Sequence, residues 1–193
     1  MNEFYQVWTN RNEEAIYTEL IFCLLTPQSK AFSCWNAVQN LINKELLIGG
    51  RPDRIAKELA GVRFCNNKSI YVAAANRQFV KKGRMIIVDL LEDFKKNTDS
   101  RDWLVDDVKG LGYKEASHFL RNIGLGKDLA ILDRHILRNL VQYGVIDELP
   151  RSLSKNRYLE IEEQMLEFSK YIEIPMEHLD LLLWYKQTGK IFK

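Results

Sequence analysis

The sequence predicts an all-α fold, two helical lobes around a cleft, and three observations carry that expectation. Apolar residues recur at helical spacing along almost the whole 193-residue chain. No segment alternates apolar and polar residues convincingly enough to read as a strand. Residues Val105 to Arg121 read as a short helix, a tight glycine turn and a second helix, and no repeat, low-complexity run or flexible linker divides the chain. A chain of this size can bury a real core as one unit. Within it, residues 26–125 are expected to form a central lobe ending in the glycine turn. Residues 1–25 and 126–193 would build a second lobe from both chain ends.

The first clear helix carries the stripe Ala15, Ile16, Leu20, Ile21 and Leu24. Glu13 and Glu14 sit in its first turn, where the helix dipole favours acids. Thr26-Pro27 breaks it, and a helix restarts towards Asn43. Gly49-Gly50-Arg51-Pro52 is a loop whose proline is set to open a helix to Ala60. Gly61 to Lys68 is a turn, followed by an alanine-rich helix through Gln78. Met85 to Phe94 reads as another amphipathic helix, and Ser100 is the candidate N-cap of the helix before the glycine turn. Beyond Asp133, residues Ile136, Leu137, Leu140 and Val141 continue a buried face that Gly144 ends. Tyr158 to Tyr171 and Pro175 to Lys186 complete the set, the latter stopped at Gly189.

A net charge of +2 permits a local basic face but makes this no polybasic protein. No apolar run approaches the roughly 20 residues of a membrane span, and no signal-peptide pattern is present. The three cysteines, Cys23, Cys34 and Cys65, are odd in number and widely spaced. Buried reduced thiols and a cytoplasmic location are the expectation.

The informative stretch is Gly110-Leu111-Gly112, with Lys114 just inside the following helix and Asp133 at 133 − 114 = 19 residues beyond it, near the start of a third. Glycines on both sides of an apolar residue let the backbone take positive φ and approach another chain closely. The amides opening the second helix then favour an anion, which makes the turn a phosphate clamp without side chains.

This constellation resembles the helix-hairpin-helix superfamily of DNA glycosylases, whose signature is a Gly-hydrophobic-Gly hairpin, a Lys two residues on and an Asp about twenty further. With the Asp133-Arg134-His135 triplet, the small size and the Trp184…Lys193 end, the chain looks most like the type 2 8-oxoguanine DNA glycosylase/AP lyases. The resemblance spans nearly the whole chain and implies a bifunctional repair enzyme. Lys114, as a neutral amine, would attack C1′ and form a Schiff base, and β-elimination would then cut the strand. Asp133 would stabilise positive charge developing on the sugar and orient Lys114 or relay its proton. For a Lys–Asp pair in general, a structural salt bridge is the competing reading.

Other positions follow by resemblance. Gln28, in a Leu-Thr-x-Gln variant of the relatives' Leu-Ser-x-Gln, would fill space around the extruded nucleotide; alone it is an exposed helix-start glutamine. Arg63 and Phe64 are wedge candidates, since a side chain that replaces lost stacking offsets unstacking. Phe64 is equally a core anchor. Lys68 would touch phosphate or simply lie at the surface. Arg134 and His135 would meet phosphate or the opposite base, whereas His118 and His178 match no zinc spacing. Base recognition falls to Trp184, Asp180 and the terminal Lys193, although periodicity alone makes Trp184 core. An acceptor facing N7–H would separate 8-oxoguanine from guanine.

The resemblance implies no catalytic cofactor or metal, and at most a monovalent cation at the hairpin once DNA is bound. The iron–sulfur cluster of endonuclease III relatives needs four clustered cysteines, and none follows Cys65. The implied partner is double-stranded DNA with 8-oxoguanine or abasic sites, met by a cytoplasmic, nucleoid-associated monomer with no membrane contact. The rival readings are the same chemistry on another oxidised base, or a non-catalytic DNA-structure-binding module that would have no use for Lys114 or Asp133.

Overall fold

In the computed structural model, which describes residues 2–189, the helical periodicity becomes eleven helices. They are α1 (Asn2–Thr9), α2 (Glu13–Leu25), α3 (Ala31–Asn43), α4 (Pro52–Glu58), α5 (Cys65–Phe79), α6 (Ile87–Glu92), α7 (Asn97–Asp107), α8 (Tyr113–Asn122), α9 (Arg134–Gln142), α10 (Lys155–Tyr171) and α11 (Met176–Thr188). Between α5 and α6 lies a small antiparallel ladder of β1 (Val80–Lys81) and β2 (Arg84–Met85). The ladder corrects the expectation of no strand. Lys82 and Gly83 both take positive φ, the demand of a two-residue hairpin turn. Met85 is thereby drawn into the ladder, and α6 is shorter than the Met85–Phe94 helix expected.

Ser100 is likewise no cap. α7 begins earlier, with Lys96 at its N-cap, and the Ser100 hydroxyl donates back to the Lys96 carbonyl at 3.3 Å. The Thr-Pro break, the opening of α4 at Pro52 and the left-handed Gly189 after α11 are where the sequence puts them.

The buried apolar side chains fall into two clusters. One runs from Ile16 to Leu129 and the other from Ala130 to Leu183. Every residue of α2 from Ile16 to Leu25 is buried, because a helix apolar all round needs neighbours on every side. It finds them in α3, α5, α6 and α8. α2 thus packs within the first cluster, and the second cluster begins at Ala130. α1 reaches across through Tyr5, whose hydroxyl donates to Glu177 at 2.5 Å. Cys23 and Cys34 are buried and free. No helix among the described residues is long and apolar enough to cross a membrane.

Candidate active site

The glycine turn joins α7 to α8, and its two glycines serve different ends. Gly110 has φ +96°, and a Cβ there would lie 2.4 Å from the ring of Tyr71 on α5. Only glycine satisfies both conditions. Gly112 departs from the expectation of positive φ; it is the extended N-cap of α8, at φ −105°. A Cβ on it would come within 3.2 Å of Glu115 Oε2, so its small size leaves room for Glu115 to fold back over the helix start. Leu111 is buried and anchors the turn. Its N-cap, Gly112, supplies no side-chain cap to the first amides of α8, and uncapped amides at a helix start suit an anion.

Lys114 is the second residue of α8, with 24% of its side chain exposed, and its ammonium is ion-paired to Glu115 at 3.3 Å. Among the described residues Asp133 makes no ion pair with it. Asp133 is the N-cap of α9, and its Oδ1 accepts the amide N–H of Ile136 at 2.8 Å. That bond fixes the carboxylate at the start of α9 through one of its two oxygens. Lys114 and Asp133 nevertheless line the same cleft, of about 1180 Å³. One wall is the α2–α3 turn with Gln28; another is α8 with Lys114, His118 and Arg121. The segment Ile131–Ile136 and α11, with Asp180 and Trp184, complete it.

The cleft thus brings a lysine and a carboxylate fixed as a helix N-cap into one lining, beside the glycine turn. Comparison with known proteins agrees. The sequence profile of the 8-oxoguanine DNA glycosylase family matches residues 1–174. The chain is 48% identical, over all of its length and 89% of the relative's, to an 8-oxoguanine DNA glycosylase/AP lyase of Fusobacterium nucleatum. The chain belongs to the 8-oxoguanine DNA glycosylase family.

Solved structures in this family superpose closely. The Methanocaldococcus jannaschii 8-oxoguanine glycosylase/lyase in complex with 15mer DNA containing 8-oxoguanine is 34% identical with a TM-score of 0.87, covering 98% of this chain and 88% of that one. The Thermotoga maritima 8-oxoguanine DNA glycosylase gives 0.86 at 34% identity, covering 100% and 88%.

Against this family frame the remaining residues sort themselves. Gln28, in the left-handed region at φ +54°, is exposed on the cleft. Arg63 lies on the same rim, its guanidinium 5.5 Å from the ring centre of Phe64. Phe64 is 53% exposed and so is not a core anchor. Arg134 is exposed and His135 half-buried, both on the cleft.

Lys68 is a correction. Only 3% exposed, its ammonium donates to the carbonyls of Leu25 and Pro27, each at 2.7 Å, and to the Ser29 hydroxyl at 3.0 Å. It binds the negative end of the α2 dipole and the turn that carries Gln28, so it is not placed to meet phosphate. Burial lowers its pKa.

Trp184 is half-buried on the cleft wall, not core; α11 buries Leu179 and Leu183 instead. Asp180 is 5% exposed, with Oδ2 at 3.5 Å from Arg121 Nη2. Burial pushes its carboxyl up, and Arg121 pulls it only part of the way back. Lys193 lies outside the described residues.

Sequence reading missed three cleft residues. Arg121 was legible, since Lys114, His118 and Arg121 at i, i+4 and i+7 share one face of α8. Glu115 occupies N3 of that helix, the capping-box position. Phe32, 66% exposed at the start of α3, offered no signal beyond following Gln28 by one turn.

Proposed function

We propose that this protein excises 8-oxoguanine from double-stranded DNA and cleaves the strand 3′ to the abasic site. Lys114 is the nucleophile and Asp133 the electrostatic partner. The observation that carries the reading is that both side chains line one cleft, beside a glycine hairpin, in a chain of this family. The hairpin amides hold a phosphate of the damaged strand, so the target nucleotide turns into the cleft. Neutral Lys114 Nζ attacks C1′ as the glycosidic bond breaks, and the bond's electron pair leaves with the base, which takes up a proton. Asp133, ionised, stabilises the positive charge that builds on the sugar. The C1′–O4′ bond of the resulting aminal then opens, O4′ taking up the proton that Nζ gives up, to leave an imine; this draws electrons from C2′, a proton leaves there, and the C3′–O bond breaks with the phosphate as leaving group. Hydrolysis of the imine then frees Lys114.

Trp184 supplies a flat apolar wall for the extruded purine, worth about 1–3 kcal/mol by analogy with base–aromatic stacking. Gln28, Arg63 and Phe64 face the gap that the base leaves. Asp180, turned towards Arg121, shapes that pocket from one side. We read the protein as a cytoplasmic monomer, and two buried free thiols suit a reducing compartment. Borohydride trapping on duplex DNA containing 8-oxoguanine tests the assignment. The wild type is expected to give a covalent adduct and Lys114→Gln none, with DNA binding retained. An adduct undiminished in Lys114→Gln refutes the nucleophile. No adduct from the wild type leaves a non-catalytic DNA-binding module.

A further inference from the structure

Behind the cleft, where the two apolar clusters meet, lies a buried polar assembly that the mechanism does not use. Arg101 on α7 is 1% exposed. It donates to both carboxylate oxygens of Glu162 on α10, at 2.5 and 2.8 Å, and to the Ser117 hydroxyl on α8 at 3.3 Å. Its guanidinium lies 5.2 Å from the ring centre of Tyr113, the residue before Lys114. Glu162 in turn accepts the backbone N–H of Ala130 at 2.7 Å. The Tyr158 hydroxyl donates to the Ala130 carbonyl at 2.6 Å and accepts the N–H of Leu132 at 3.4 Å. Residues 130–132 lie outside any helix or strand, and they lead directly into Asp133.

Arg101 therefore grips the first two turns of α8 on one side, around Lys114. Through Glu162, and with Tyr158, the same assembly grips the segment that presents Asp133 on the other. A buried ion pair is poor value as a stabiliser, since apolar residues of equal size often do as well or better. What it does supply here is bonded, directional contact to two elements at once. We infer that Arg101, Glu162 and Tyr158 are positioning residues that set the separation of Lys114 and Asp133 across the cleft. This rests on the roles given to Lys114 and Asp133 above.

The test compares single-turnover excision of 8-oxoguanine with affinity for a duplex carrying a tetrahydrofuran abasic analogue. The double variant Arg101→Met/Glu162→Met keeps volume and removes both charges, so folding should survive. Tyr158→Phe deletes one hydroxyl and serves if the double variant does not fold. Each is expected to slow excision by at least about tenfold, as a misplaced reacting pair does, while affinity for the analogue stays within about twofold of wild type. Excision at the wild-type rate in either folded variant overturns the positioning role, and so does a loss seen only in affinity. A wild type that forms no borohydride adduct overturns instead the reading on which this rests.

Discussion

Two buried arginine–carboxylate pairs connect the N-terminal helices to the C-terminal ones, and they are built differently. Arg101–Glu162 is a two-pronged contact at 2.5 and 2.8 Å, with Ser117 and the Ala130 amide completing it. Arg121–Asp180 is a single approach of 3.5 Å. Nε and Nη1 of Arg121 and Oδ1 of Asp180 have no hydrogen-bond partner among the described residues. The Arg121 guanidinium rests instead on the ring of Phe4, 5.0 Å from its centre. The charge balance differs accordingly. Burial pulls the Arg101 guanidinium down, yet Glu162's hydrogen bonds and charge leave it above its ordinary value. For Asp180, burial wins over Arg121. The more fully bonded pair, in which Arg101 Nε alone of the guanidinium lacks a partner among the described residues, stands behind the proposed reacting groups, and the loose one lines the cleft. Rigidity is concentrated under the chemistry, and slack is left beside the substrate.

The contrast predicts unequal losses. Glu162→Leu alone strands a buried guanidinium and should destabilise the fold by about 3–5 kcal/mol, measured by urea titration. Asp180→Leu should lose distinctly less, about 1–2 kcal/mol, because Arg121 keeps its aromatic support and gives up only one long contact. Equal losses would erase the distinction. Gly110→Ala tests the hairpin: the left-handed backbone and the Tyr71 ring together should cost about 1–3 kcal/mol, and affinity for undamaged duplex should fall with it.

The smallest effect is on pH dependence. A carboxyl whose folded pKa is raised binds its proton more tightly in the folded state than in the unfolded one. Its contribution is therefore unfavourable above the raised value and is relieved as the pH falls towards the ordinary carboxylate range. Comparing wild type with Asp180→Asn across acid pH, the wild type should gain stability relative to the variant on acidification. A relative loss would mean that Arg121 dominates after all.

Much of this was legible from residue order, but not the assembly behind the cleft. Helix periods, the Thr-Pro break and the glycine hairpin are local signals, and local physics places them. Lys114 and Asp133 were legible as candidates because the family's motif ties one to the hairpin and the other to a fixed spacing beyond it. Arg101 and Glu162 are 61 residues apart, and each sits in a helix where a charged residue ordinarily faces water. Only the meeting of two lobes buries them. Lys68 misled for the same reason: its partners are carbonyls, which every sequence contains and none advertises. Lys82-Gly83 was a readable turn whose flanking strands are too short to register as a period.

The contact between Gly110 and the Tyr71 ring has a mechanical meaning. Tyr71 belongs to the helix that directly follows Arg63 and Phe64, so the anion grip and the probing loop are bolted to a common beam and keep a fixed span. In the proposed reading, a duplex held at both points fits that span by bending in its own curvature.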